Sequence, residues 1–389
     1  MYSMQKNFKL DMGGSPKPMR QSSRRVCVTF LTCLIVIFVL VSWSSSSKPL
    51  HDTPLPNSKP TLLHDDITEK PSKPLPAKEN DSYKNETLGF SKIFVLGLPE
   101  RTDKRDAFAL TSALTGFRAE FMGGVRGESV PDKALPWGYN RQSLKETELG
   151  SWRGHMNAVR RIVEENLESA LIMEDDMDWD VRLKSQLMKI AEGSRKLMPS
   201  GDHPSSPYGD AWDVLWLGHC GEIFPESLIE NEGKKEHPKF VISNDPTVPP
   251  VDKITGFVDF HQFPEHTRFV HVSGGPICSF AYALSQRGAR KVLYELSVDH
   301  LNMAFDNSLA DLCRDGASGN VDGLQAKCLT VTPPIFFHHR AKGPIGSDSD
   351  IQNPDIKDIR EKGTTENIRW SARANIKNMI MGLAMESQF

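Results

Sequence analysis

The chain predicts an α/β domain of the Rossmann-like sandwich type, set behind a membrane-spanning helix and an extended stem. Three observations carry this. Short apolar runs rich in β-branched residues, KIFVLGL (92–98), ESALIM (168–173) and DVLWLG (213–218), have strand length. A segment with helical periodicity, 147–166, lies between the first two. The second run then opens directly into an acidic stretch, and helix, strand, polar loop is the order of α/β folds.

At 389 residues there is room for one large domain with appendages. Hydrophobic content is 38% and net charge −3, so no basic footprint points to nucleic acid, and none is expected as a partner. Residues 1–25 carry Lys6, Lys9, Lys17, Arg20, Arg24 and Arg25 against Asp11 alone. The uncharged run VCVTFLTCLIVIFVLVSW (26–43) follows, just long enough to cross a bilayer as a helix, with Trp43 at an interfacial position. A cleaved signal peptide would have a shorter apolar core and an Ala-x-Ala-like exit, which is lacking. The basic flank predicts a cytoplasmic tail (1–25) and a type II signal anchor (26–43), with everything beyond it lumenal.

Residues 44–90 are rich in Pro, Ser, Lys and Asp and read as a stem too polar to fold. Asn80 and Asn85 head glycosylation triplets there. In an oxidising lumen Cys220, Cys278, Cys313 and Cys328 allow three pairings, of which Cys313–Cys328 is preferred for the loop it closes.

The globular domain is expected over 91–351. Its first strand (92–98) ends at Pro99, and a helix start carrying Arg101, Lys104 and Arg105 follows. Cations after a strand suit a phosphate, and equally an exposed helix turn. Residues 117–125 form a weaker strand. In the helix from Thr147, its expected N-cap, Leu149, Trp152, Met156, Val159 and Val163 share one face and His155 lies at its edge. A histidine so placed is more often packed than catalytic.

The strand 168–173 then runs into Glu174, Asp175, Asp176, Asp178 and Asp180. Ligands bind at such carboxyl ends. On an extended chain Glu174, Asp176 and Asp178 would converge, and an oxygen-rich cluster suits a hard divalent ion. A solvated acidic loop has the same composition. Further on, 182–197 is a helix, 269–273 and 279–284 are strands around Gly274 and Gly275, and Ser285 caps a helix to about 296. Residues 299–313 are helical and include Asp306, and TVTPPIFF (330–337) is a last strand ending in His338 and His339. Residues 352–389 form a charged, partly helical tail with no assigned place.

Five segments, in order, resemble glycosyltransferase family 25: FVLGLPERTDKR, ELGSWRGHMNAV, ALIMEDD, AYALSQRGARKVL with Asp306 downstream, and PPIFFHHR with GSDSDI, together spanning 92–351. Gly154 stands where the family usually has Ser before His155. The resemblance implies a GT-A-like fold and inverting transfer of a hexose, galactose or glucose, from a UDP-sugar to a hydroxyl of a glycan, protein or lipid. It implies Mn²⁺ or Mg²⁺ at Asp176 and Asp178, with His338 or His339 as a further ligand. Glu174, Asp175, Arg101 and Arg105 would face the nucleotide. Asp306 is the candidate general base, while His155 orders the active-site helix. Residence in the Golgi or endoplasmic reticulum membrane follows from the anchor. A membrane-tethered lectin or inactive homologue, and a metal-dependent hydrolase, are the alternatives; the hydrolase would need more His and Asp ligands at separate strand ends.

Overall fold

The computed structural model describes residues 81–201, 204–351 and 356–389. Eight strands form one mixed sheet: β1 (Lys92–Gly97), β2 (Glu120–Gly123), β3 (Ser169–Glu174), β5 (Val214–Gly218), β6 (Lys239–Ile242), β7 (Arg268–Val272), β8 (Ala281–Ser285) and β9 (Cys328–Thr332). Their order is β2-β1-β3-β8-β5-β9-β7-β6. The β2–β1, β1–β3 and β5–β9 pairs are parallel, and β8 and β7 run against the rest. This fits a Rossmann-like sandwich.

The sheet is apolar on both faces, as strands covered on both sides must be. Ile93, Val95, Leu171, Met173, Leu215 and Leu217 face one layer, with α1 (Thr102–Thr115) and α3 (Leu183–Leu197). Phe94, Leu96, Ile172, Val214, Trp216 and Tyr282 face the other, with α2 (Glu146–Glu164), α4 (Gln286–Leu293) and α5 (Phe305–Ser318). Alternate residues of one strand thus serve opposite cores.

Helix α2 buries Leu149, Trp152, Met156 and Val159, as its periodicity requires. It starts earlier than expected: Thr147 lies inside it, and the backbone N–H of Lys145, the N-cap, donates to Glu148 Oε2 at 3.0 Å. Ser285 caps α4, its hydroxyl accepting from the Gly288 N–H. Residues 330–337 are not one strand. Pro333 and Pro334 lack a ladder N–H and split them into β9 and β10 (Phe336–Arg340). β10 joins a second sheet between β4 (Met177–Trp179) and β13 (Thr364–Thr365). A small ladder pairs β11 (Gly343–Pro344) with β12 (Ile359–Arg360).

The folded unit exceeds the expected 91–351 at both ends. Tyr83, Leu88 and Phe90, within the expected stem, are buried, and Tyr208 donates its hydroxyl proton to the Leu88 carbonyl. Residues 364–375 fold back onto the acidic stretch, ahead of a last short helix, α6 (Ile376–Met381). Cys313–Cys328 is closed as preferred, and Cys220–Cys278 is closed as well. The expected cytoplasmic tail and membrane span lie outside the described residues. Among the described residues no helix is long and apolar enough to cross a membrane.

Candidate active site

The site forms where β3 ends. Asp175 and Asp176 make a turn between β3 and β4, so the even alternation of an extended chain is lost there. Glu174 and Asp176 open into the cleft, and Asp178 does not join them. It is fully buried in β4. Its Oδ1 accepts from the N–H groups of Trp179 (2.8 Å) and Arg373 (3.0 Å), and its Oδ2 from the hydroxyls of Thr365 and Ser371. A carboxylate with four donors has no lone pair directed at an ion. The expectation that Asp178 binds metal is therefore corrected: it is the anchor by which the C-terminal segment holds the turn.

Arg373 completes that anchor, donating to the carbonyls of Asp175 (2.7 Å) and Met177 (2.8 Å). Gly97 is needed beside it, since a Cβ there would fall 1.9 Å from Asp175 Oδ2. Asp175 is buried, and burial, then the charge of Asp176, raises its carboxyl to about 7. Asp176 goes the other way. Burial alone would raise it, but His338 and Lys104 outweigh burial and hold it at about 2.

Of the three cations after β1, Lys104 reaches the cluster. Its Nζ donates to Asp176 Oδ2 (3.0 Å) and Asp350 Oδ2 (2.8 Å) and lies 3.8 Å from Asp175 Oδ1. Arg101 grips Asp350 and Asp103. Arg105 does not face the site: it is exposed, its guanidinium 4.6 Å from the centre of the Phe121 ring. Residues on one face of α1 recur every three or four positions, which separates Lys104 from its neighbour Arg105.

Behind Glu174 runs a buried hydrogen-bonded chain. Ser279 Oγ donates to Glu174 Oε1 (3.0 Å), so its oxygen is left to accept from His155 Nε2 (3.3 Å). His155 Nδ1 then accepts the Tyr282 hydroxyl proton (2.9 Å). His155 is stacked on Phe305, and burial pushes it down to about 3, so the ring is neutral. Both of its ring nitrogens are thus engaged by protein partners. Burial and the Asp176 charge push Glu174 up to about 8.

Two cavities meet at Glu174 and Asp176. The smaller, about 150 Å³, is lined by Gly97, Lys104, Gly124, Gly127, Gly154 and Asp350. Gly154 fits this wall, since nothing lies within 4 Å of the Cβ it lacks. The larger, about 660 Å³, holds Asp306, Cys278, Phe280 and His338. Asp306 stands in the first turn of α5, its Oδ2 accepting from the Cys278 N–H at 3.0 Å.

Asp176 Oδ1 is buried with no hydrogen-bond partner, and His338 Nε2, which makes no hydrogen bond, lies 3.3 Å from Asp176 Oδ2. Unpaired buried polar atoms are costly, and a carboxylate oxygen beside an imidazole nitrogen is a donor set that suits a divalent ion. Among the described residues no group of three or more His, Cys, Asp or Glu is arranged to hold a metal. The fit is thus a two-residue one. His339 turns away, its Nδ1 against Thr365 Oγ1 at 2.8 Å.

No family model matches the chain. The likeness is to glycosyltransferase family 25. Procollagen galactosyltransferase 2 of Mus musculus is 25% identical over 142 residues, which is 34% of this chain and 21% of that protein. A glycosyltransferase 25 family member of Aedes aegypti is 20% identical over 225 residues, 55% of this chain and 30% of that one. An inactive glycosyltransferase 25 family member 3 of Homo sapiens is 22% identical over 219 residues, 53% and 29% respectively. The matched stretches span less than a third of these relatives' own lengths.

The sequence singled out Glu174, Asp175, Asp176, His338, Asp306 and His155, and the structure gathers these around one junction. Ser279, Tyr282, Asp350 and Arg373 were missed. Two of them stood in stretches already marked by resemblance, Tyr282 in AYALSQRGARKVL and Asp350 in GSDSDI.

Proposed function

We propose that this chain is a glycosyltransferase that moves a hexose, galactose or glucose, from a UDP-sugar to a hydroxyl acceptor with inversion. The observation that carries this is the junction of two cavities at Glu174 and Asp176, one glycine-lined and flanked by cations, the other presenting Asp306. A two-substrate displacement needs such a pair of compartments sharing one wall. The names of the relatives support the reading.

The donor's diphosphate would lie beside Lys104, in the cavity whose wall includes Gly97 and Gly124. The acceptor would enter the larger cavity. Asp306 takes the proton of its hydroxyl, the oxygen bonds to the anomeric carbon, and the electron pair of the breaking bond leaves with the diphosphate. Asp176 and His338 would hold Mn²⁺ or Mg²⁺, which offsets negative charge on the leaving group. Ser279 and His155 keep Glu174 oriented at the junction.

We also propose a type II membrane protein of the Golgi or endoplasmic reticulum with this domain lumenal. The closed Cys220–Cys278 and Cys313–Cys328 bridges support an oxidising compartment.

The test is UDP release by the full-length chain from UDP-galactose, UDP-glucose and other nucleotide sugars, with Mn²⁺ and with chelator. Chelator-sensitive release from one donor, lost in Asp306→Asn, is expected. Donor binding without release in any condition would favour the inactive-homologue reading, which the human relative keeps open. No binding and no release would overturn both.

A further inference from the structure

The smaller cavity, about 150 Å³, lies below the roughly 300 Å³ of ordinary small-molecule sites. Part of its wall toward the larger cavity is a short segment of the chain. Ser349 and Ile351 line both cavities, and Asp350 between them lines the smaller, so this short segment is the partition.

Asp350 also makes the strongest anionic contacts in the site. Arg101 Nη1 lies 2.6 and 2.7 Å from its two carboxylate oxygens, and Lys104 Nζ lies 2.8 Å from Oδ2. Lys104 Nζ also lies 3.0 Å from Asp176 Oδ2. An arginine and a lysine converging on one oxyanion is the donor arrangement that recognises phosphate as readily as carboxylate. The segment carrying Asp350 is held at both flanks, by Arg360 on Asp348 (2.7 and 2.9 Å) and by Thr147 Oγ1 on the Ile351 carbonyl (3.0 Å). The Asp350 side chain is therefore the part that can yield. It adds a third carboxylate around Lys104, next to Asp175 and Asp176.

We propose that Lys104 and Arg101 form the diphosphate seat of the site, and that Asp350 is a resident anion which the donor's diphosphate displaces. Its departure would free the space beside Lys104 and Arg101 and enlarge the smaller cavity. The proposal deepens the glycosyltransferase reading and rests on a diphosphate-bearing donor.

The experiment is calorimetric titration of the full-length chain in detergent with UDP, inorganic pyrophosphate and orthophosphate, each with Mn²⁺ and with chelator. Asp350→Asn should tighten UDP and pyrophosphate at least five-fold, because the competing anion is gone. Lys104→Gln should weaken both at least ten-fold, measured below the variant's Tm. In the double variant the gain from Asp350→Asn should vanish, which a general loosening of the segment would not produce. If the natural chain binds UDP and Asp350→Asn binds it no better, the displacement proposal falls while the glycosyltransferase reading stands. If UDP fails to bind but pyrophosphate binds more tightly to Asp350→Asn, the seat stands and the donor reading falls. Binding of orthophosphate alone, or of no probe to any variant, overturns the seat.

Discussion

Asp176 and Asp178 stand two positions apart and do opposite work. Removing the Asp178 carboxylate leaves the Thr365 and Ser371 hydroxyls and the Trp179 and Arg373 N–H groups facing an empty acceptor. Asp178→Ala should cost about 3 kcal/mol in denaturant unfolding, since buried donors stripped of their acceptor lose their full desolvation energy. Asp176→Asn removes the carboxylate charge that Lys104 faces at 3.0 Å, so it should lower stability measurably at neutral pH and abolish donor turnover at temperatures where the variant is still folded. A second residue sets a pH dependence. Glu222 is buried, and burial pushes its carboxyl up from 4.5 to about 8, although Ile223, Ser273 and Gly274 donate to it. The folded chain therefore keeps a proton that the unfolded chain releases. Glu222 contributes stability in full below pH 4.5 and loses it progressively as pH rises toward 8. Glu222→Gln should flatten the fall of Tm across that interval; an unchanged slope would show that the group is ionised in the fold. The acidic residues themselves were legible from the apolar run before them. Their roles were not, because a turn at Asp175 and Asp176 reverses the side-chain alternation.

Among the elements, β1, β3, β5 and the α2 face were legible in the sequence, because period and composition fix a buried strand or an amphipathic helix locally. β4 and β13 were not. Each is only two or three residues long and exists through pairing with β10. The stem boundary was misplaced for a similar reason: Tyr83, Leu88 and Phe90 are too sparse to show periodicity, yet all three are buried. A chain begun at Lys92 should lose roughly 2 kcal/mol for each of these side chains relative to one begun at Asp81. Thermal melts of the two fragments measure that difference, and equal Tm values would return residues 81–90 to the stem.

At the scale of the molecule, the two cores and the two disulfides hold the cleft walls in place. Cys313–Cys328 ties α5 to β9, and its loss in a double Cys→Ala variant should cost about 3 kcal/mol. Cys220–Cys278 does something further, because Cys278 supplies the N–H that Asp306 accepts, and both cysteines line the larger cavity. Breaking it should lower kcat more than the thermal loss explains, read as turnover measured well below the variant's Tm. Retained kcat would detach Asp306 from the bridge. None of this long-range order is visible in a linear reading, where cysteine counts leave three pairings open.

The clamp on the acidic turn also has a meaning in time. Asp178 meets the Arg373 N–H across 195 residues of chain. During synthesis the sheet's early strands are available long before residues 364–375 exist. A nascent chain would hold its carboxylates near one another with nothing to fix the turn, and the site would be assembled last. The geometry of the cleft would then be completed only when the C-terminal segment closes on Asp178.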